Sequence, residues 1–100
     1  MPYGLKDSEW QVLQSLFAAN RRIEQVVLYG SRAKGCHKPF SDVDLVLVGK
    51  GLSRTDVGQL CALLDESPLP YQFDVSLLSG LKHAALVDHI HRRGIVIYQR

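Results

Sequence analysis

The sequence predicts an α+β or α/β-like domain, a single sheet of about four strands flanked by helices. Four short runs rich in β-branched and aromatic residues alternate with segments whose apolar residues recur at helical spacing. One run, LVLV at 45–48, is continuously apolar, as expected of a central strand covered on both faces. The length, 100 residues, supports one small domain spanning 1–100 and one core, not two.

Each element has a local reason. Ser8 with Gln11 three residues on fits a capping box, and Trp10, Leu13, Leu16 and Phe17 follow at helical spacing. This predicts a first helix over 8–20, with Trp10 and Phe17 in the core. QVVLY at 25–29 stops at Gly30 and reads as the first strand. SRAKG is long enough for one or two helical turns, and CHKPF reads as loop because Pro39 forbids a regular ladder. DVDLVLV at 42–48 is the second strand. Ser53 with Asp56 opens another helix carrying Val57, Leu60, Cys61 and Leu64, which Pro68 stops; Asp65 and Glu66 at its end read as solvated. YQFDVSL at 71–77 is the third strand, where Tyr71, like Tyr29 in the first, reads as a packing residue. Ser79 caps a helix running to Arg93, and Gly94 suits the left-handed position after a helix end. IVIY at 95–98 is a closing strand.

The composition is that of an ordinary globular protein, with 46% hydrophobic and 22% charged residues. A net charge of +2 does not support nucleic-acid binding by itself. No apolar run approaches the ~20 residues that span a bilayer, and MPYGLKDSEW has no apolar core of a secretory signal. Cys36 and Cys61, with no CxxC around them, read as reduced thiols, which together with the missing signal points to a cytoplasmic protein.

The chemistry concentrates in two stretches, LYGSRAKG at 28–35 and SDVDLVLV at 41–48. Side chains alternate along a strand, so Asp42 and Asp44 share a face. Two anions side by side at a core strand are costly unless neutralised, and hard cations such as Mg²⁺ take carboxylate oxygens and substrate phosphates. Asp74 lies inside the third apolar run and reaches the same site if the second and third strands are neighbours. Three carboxylates can then hold two ions that activate an attacking oxygen and stabilise a leaving pyrophosphate. Gly30 lets the backbone turn sharply and approach a ligand; Ser31 offers a hydroxyl at a helix start, where N–H groups favour anions. Arg32 and Lys34 add positive charge.

Gly30-Ser31, ten intervening residues, then Asp42-x-Asp44 resembles the signature of the DNA polymerase β-like nucleotidyltransferase superfamily. The small size and the succession LYGSRAKG, SDVDLVLV, YQFDV, RRGIVIY resemble its minimal nucleotidyltransferase (MNT) members over nearly the whole chain. Family members often carry Glu where Arg93 stands. The resemblance implies a mixed sheet, two Mg²⁺ ions and a nucleoside triphosphate donor, ATP. By position, Gly30 and Ser31 hold triphosphate, Asp42 and Asp44 bind metal, and Asp74 is the third carboxylate. The family also implies a HEPN-domain toxin as partner, which the MNT protein neutralises, in characterised cases by transferring AMP to a tyrosine on it. Two alternatives stand beside this: an antitoxin that works by covering its partner, and transfer to tRNA or a small molecule.

The histidines carry less. His89 and His91 are two apart, about 200° around a helix, and cannot chelate one ion together. With His83, Arg92 and Arg93 they read as a solvated basic helix end that complements the dipole. His37 and Lys38 read as loop residues.

Overall fold

The computed structural model describes residues 4–30, 32 and 42–100. Ser31, Lys34, Cys36, His37, Lys38 and Pro39, and with them the expected helical turn and loop, lie outside the described residues. Chain order is helix α1 (Asp7–Ala18), strand β1 (Gln25–Tyr29), strand β2 (Val43–Val48), helix α2 (Arg54–Glu66), strand β3 (Phe73–Leu77), a 3₁₀ turn (Leu78–Gly80), helix α3 (Ala84–Arg93) and strand β4 (Ile95–Gln99). The strands form one sheet in the order β3-β2-β1-β4. β1 is antiparallel to β2 and β4, whereas β2 and β3 are parallel, so the sheet is mixed and the fold is α+β.

Strand alternation divides the core into two layers. Val26, Leu28, Val43, Leu45 and Leu47 face α1 and α2, where they pack with Leu13, Phe17, Leu60 and Leu64. Val27 and Val46 face the other way, under Ile90 and Leu86 of α3. Leu45, Val46 and Leu47 are all 1% exposed or less. The apolar run therefore marks a strand covered on both sides, as the sequence indicates. The ring of Phe17 sits 5.6 Å from that of Tyr98, and Gln14 Nε2 donates to the Ile97 carbonyl at 2.7 Å, so α1 is tied to β4.

Three local expectations are corrected. Helix α1 starts at Asp7, one residue before the expected Ser8, and its end cap is built by Glu9, whose carboxylate accepts from the Lys6 backbone N–H at 2.8 Å. An ionised acceptor makes the stronger bond, so Glu9 prevails over Gln11. Ser79 caps no helix; Leu78–Gly80 make a tight turn that sends Leu78 and Leu81 into the second layer. α3 starts at Ala84 instead, capped by His83, whose Nδ1 accepts from Leu86 N–H. Gly94 is not left-handed but has φ −68°. Glycine is required there because a Cβ would overlap the Ile90 carbonyl and a Val27 methyl. At the start of α2 the expected pairing is present, Asp56 accepting from Ser53 N–H at 2.8 Å. Its carboxylate also accepts from Asn20 Nδ2 at 3.0 Å and Arg22 Nη1 at 3.2 Å, which ties α2 to the turn after α1. Among the described residues no helix is long and apolar enough to cross a membrane.

Candidate functional site

The site is assembled at one end of the sheet, on the face opposite α1 and α2. Tyr29, the last residue of β1, stands across from Asp44 in the antiparallel pair. In the parallel pair Asp44 stands beside Asp74. Paired residues on neighbouring strands share a face at a strand spacing of ~4.8 Å. The register thus brings together two acids that are far apart in sequence. Asp42 lies one residue before β2, and with Asp74 it is exposed, whereas Asp44 is half-buried.

The electrostatics follow from that convergence. Burial, and then the charges of Asp74 and Asp42, raise the Asp44 pKa above its ordinary value. The Tyr29 phenol is pushed up for the same reasons, by burial first and then by Asp44 and Asp74, with a hydrogen bond to Ser76 acting the other way. Sequence reasoning took Tyr29 only as packing. It does pack on the second layer, yet its phenol also feels the charges of Asp44 and Asp74. Period-two alternation, which places it on the side of Val27, was the available signal.

Gly30 joins the two sequence stretches physically. It adopts φ +80°, a left-handed conformation natural to glycine, and a Cβ there would run into the Asp44 carboxylate. The glycine turn and the acid pair are therefore in direct contact. Among the described residues no three His, Cys, Asp or Glu side chains close on one point as a metal cluster. The acids stand as a facing pair with Asp42 at the mouth of the strand.

Arg32 is buried. It is 1% exposed, and its guanidinium lies 4.8 Å from the centroid of the Tyr71 ring. Tyr71 packs on the α1–α2 layer, and its hydroxyl donates to Glu9 Oε1 at 2.9 Å. Arg32 is thus set over the Tyr71 ring, and Tyr71 precedes β3 instead of lying in it. Of the other residues weighed in the sequence, His91, Arg92 and Arg93 are exposed at the end of α3, with Arg92 paired to Asp88 at 3.1 Å. Cys61 is a free, half-buried thiol whose pKa is pushed up by burial first and then by nearby Asp65 and Asp74. A depression of about 510 Å³ lies between α1 and α2, lined by Leu16, Asn20, Asp56, Leu60 and Leu63, on the far side from the acids.

Comparison with known proteins gives a concordant picture. A family model described as "Polymerase beta, Nucleotidyltransferase" matches residues 11–100. No curated protein matches the sequence. Among solved structures, a chain from a crystal structure of a toxin–antitoxin with AMP-PNP superposes with a TM-score of 0.75 at 18% identity, covering 91% of this chain and 73% of that one. A chain from the complex of a tri-AMPylated Shewanella oneidensis HEPN toxin with its MNT antitoxin gives 0.67 at 15% identity, covering 91% and 70%. A putative nucleotidyltransferase from Sulfolobus solfataricus gives 0.55 at 16% identity, covering 91% and 77%. At such identities the likeness is one of fold.

Proposed function

Because this chain belongs to the polymerase β nucleotidyltransferase family, we propose that it is a minimal, cytoplasmic nucleotidyltransferase that transfers AMP from ATP to an acceptor hydroxyl. The acceptor is a tyrosine on a HEPN toxin partner, and the chain acts as that partner's antitoxin. One observation carries the reading: Asp44 and Asp74 are register partners, and the Gly30 turn rests on the Asp44 carboxylate. The neighbours of similar fold add weight to donor and partner, since one contains AMP-PNP and another a tri-AMPylated HEPN toxin.

Asp42, Asp44 and Asp74 are the residues that would hold Mg²⁺. Asp44 and Asp74 face each other across β2 and β3 with Asp42 just before β2, and carboxylate oxygens are the donor type such a cation takes. When bound, two Mg²⁺ ions supply charge neutralisation at the triphosphate and the leaving pyrophosphate. The chain's own residues do the positioning. Gly30, with no side chain, and Ser31 receive the triphosphate, with Lys34 adding charge. Asp74, exposed at the edge of the acid pair, accepts the proton of the incoming hydroxyl. The hydroxyl oxygen forms a bond to the α-phosphorus, the α–β anhydride bond breaks, and pyrophosphate leaves with the electron pair. Positioning and charge neutralisation carry most of the rate in such an in-line transfer.

Asp42→Asn or Asp44→Asn should abolish transfer and leave the fold intact; full activity in either variant overturns this mechanism. Co-expression of a transfer-dead variant with the toxin, at equal protein level, separates catalysis from simple covering. Continued toxicity supports the enzymatic antitoxin, and full neutralisation supports complex formation.

A further inference from the structure

A buried guanidinium beside a proposed phosphate turn needs a physical reason. Burying a charge is costly unless it is well partnered, and Arg32 is 1% exposed. One partner within the fold is the face of Tyr71, 4.8 Å away, a distance at which a desolvated cation–π contact is strong. Tyr71 is itself fixed from two sides. Its hydroxyl donates to Glu9 Oε1, whose carboxylate also receives the Lys6 N–H at the start of α1. Its ring meets that of Phe73 edge-on at 6.4 Å, and Phe73 is the first residue of β3, next to Asp74. At the other end, Arg32 is two residues from Gly30, where an added Cβ would run into the Asp44 carboxylate.

We infer that Arg32 is a positioning residue: stacked on Tyr71, it pins the end of the glycine turn to the segment that leads into Asp74 and to the start of α1. Arg32 does not contact the triphosphate. The stack fixes the distance between the turn, which receives phosphate, and the strand that carries the third acid. The inference rests on the nucleotidyltransferase reading for its consequence, but the coupling itself is a property of the fold. Planarity matters to it, because a guanidinium stacks flat on a ring in a way an ammonium does not.

The test is a double-mutant cycle in the full chain with Arg32→Lys and Tyr71→Leu, each measured for thermal midpoint, MgATP affinity and, with the toxin partner, kcat and KM. Both single variants should lose kcat/KM by about tenfold to a hundredfold, the scale of an ångström-sized misplacement. The double variant should lose clearly less than the sum of the two single losses, in activity and in midpoint, because the two changes share the Arg32–Tyr71 contact. Tyr71→Phe keeps the ring and should lose less than Tyr71→Leu. Additive losses overturn the inference. So does an MgATP affinity that collapses in Arg32→Lys and is unmoved in Tyr71→Leu, which would make Arg32 a direct phosphate ligand. If the parent protein binds no nucleotide, the functional reading fails, and the coupling is judged on the midpoints alone, where additivity again overturns it.

Discussion

Gly30→Ala is the perturbation that probes the junction between the glycine turn and the acids. The backbone there has φ +80°, and the added methyl would meet the Asp44 carboxylate well inside ordinary contact. Forcing an alanine into the left-handed region costs ~1–2 kcal/mol, offset by ~0.4–1 kcal/mol from the stiffer unfolded chain. The net destabilisation of about 1 kcal/mol corresponds to a fall in melting temperature of roughly 4–8 °C for a domain of this size. Activity should fall further than stability. To restore contact the carboxylate must shift by about 1 Å, and misplacements of that size cost on the order of 10²-fold in rate. The assay is nucleotidyl transfer at a temperature where melting curves show both proteins folded. A folded Gly30→Ala protein retaining more than half of the parent activity would refute the idea that the Gly30–Asp44 contact sets the site.

Two further outcomes concern the carboxylates and pH. The Asp44 pKa is raised in the folded state, chiefly by burial and then by its acidic neighbours. Its stabilising contribution is therefore present at low pH and is lost as pH rises through the folded value. Asp44→Asn should melt higher than the parent at pH 7 without added metal, and the margin should shrink as pH falls towards the ordinary carboxylate range; a margin that stays constant with pH contradicts this. Asp56 is the opposite case, its pKa lowered by the Ser53 backbone N–H first and then by the Asn20 bond. That stability is present above the ordinary carboxylate value and is lost as pH falls through the folded one. Asp56→Ala should lower the melting temperature at pH 7, with the deficit closing in acid, and a deficit that persists below pH 3 would point to a non-electrostatic role.

Much of the site was legible because its parts are local patterns. The apolar run after Asp44 identified a covered strand, Gly30 announced a turn, and an acid inside the third apolar run singled out Asp74. What alternation could not supply was register. That Asp44 meets Asp74 depends on the parallel pairing of β2 with β3, a pairing that needs a crossover connection, supplied here by α2 packed on one face of the sheet. Arg32 was read as charge for phosphate because sequence adjacency gives proximity but not direction. A neighbour in the fold, Tyr71, lies one strand and one helix further along the chain. Asp56 shows the same limit: its bond to Ser53 was readable from spacing, its bonds to Asn20 and Arg22 only from the fold. Gly94 was correctly marked as a required glycine for a wrong reason, close packing on Val27 and Ile90 instead of a left-handed φ.

The most direct measurement is transfer itself. The protein is incubated with Mg²⁺ and ATP labelled at the α-phosphate, with and without the proposed HEPN partner, and label is followed on protein and RNA. Label should appear on a tyrosine of the proposed HEPN partner, require Mg²⁺, and vanish with Asp44→Asn. Label on neither protein nor RNA, or equal labelling by Asp44→Asn, would contradict a nucleotidyltransferase built on Asp42, Asp44 and Asp74.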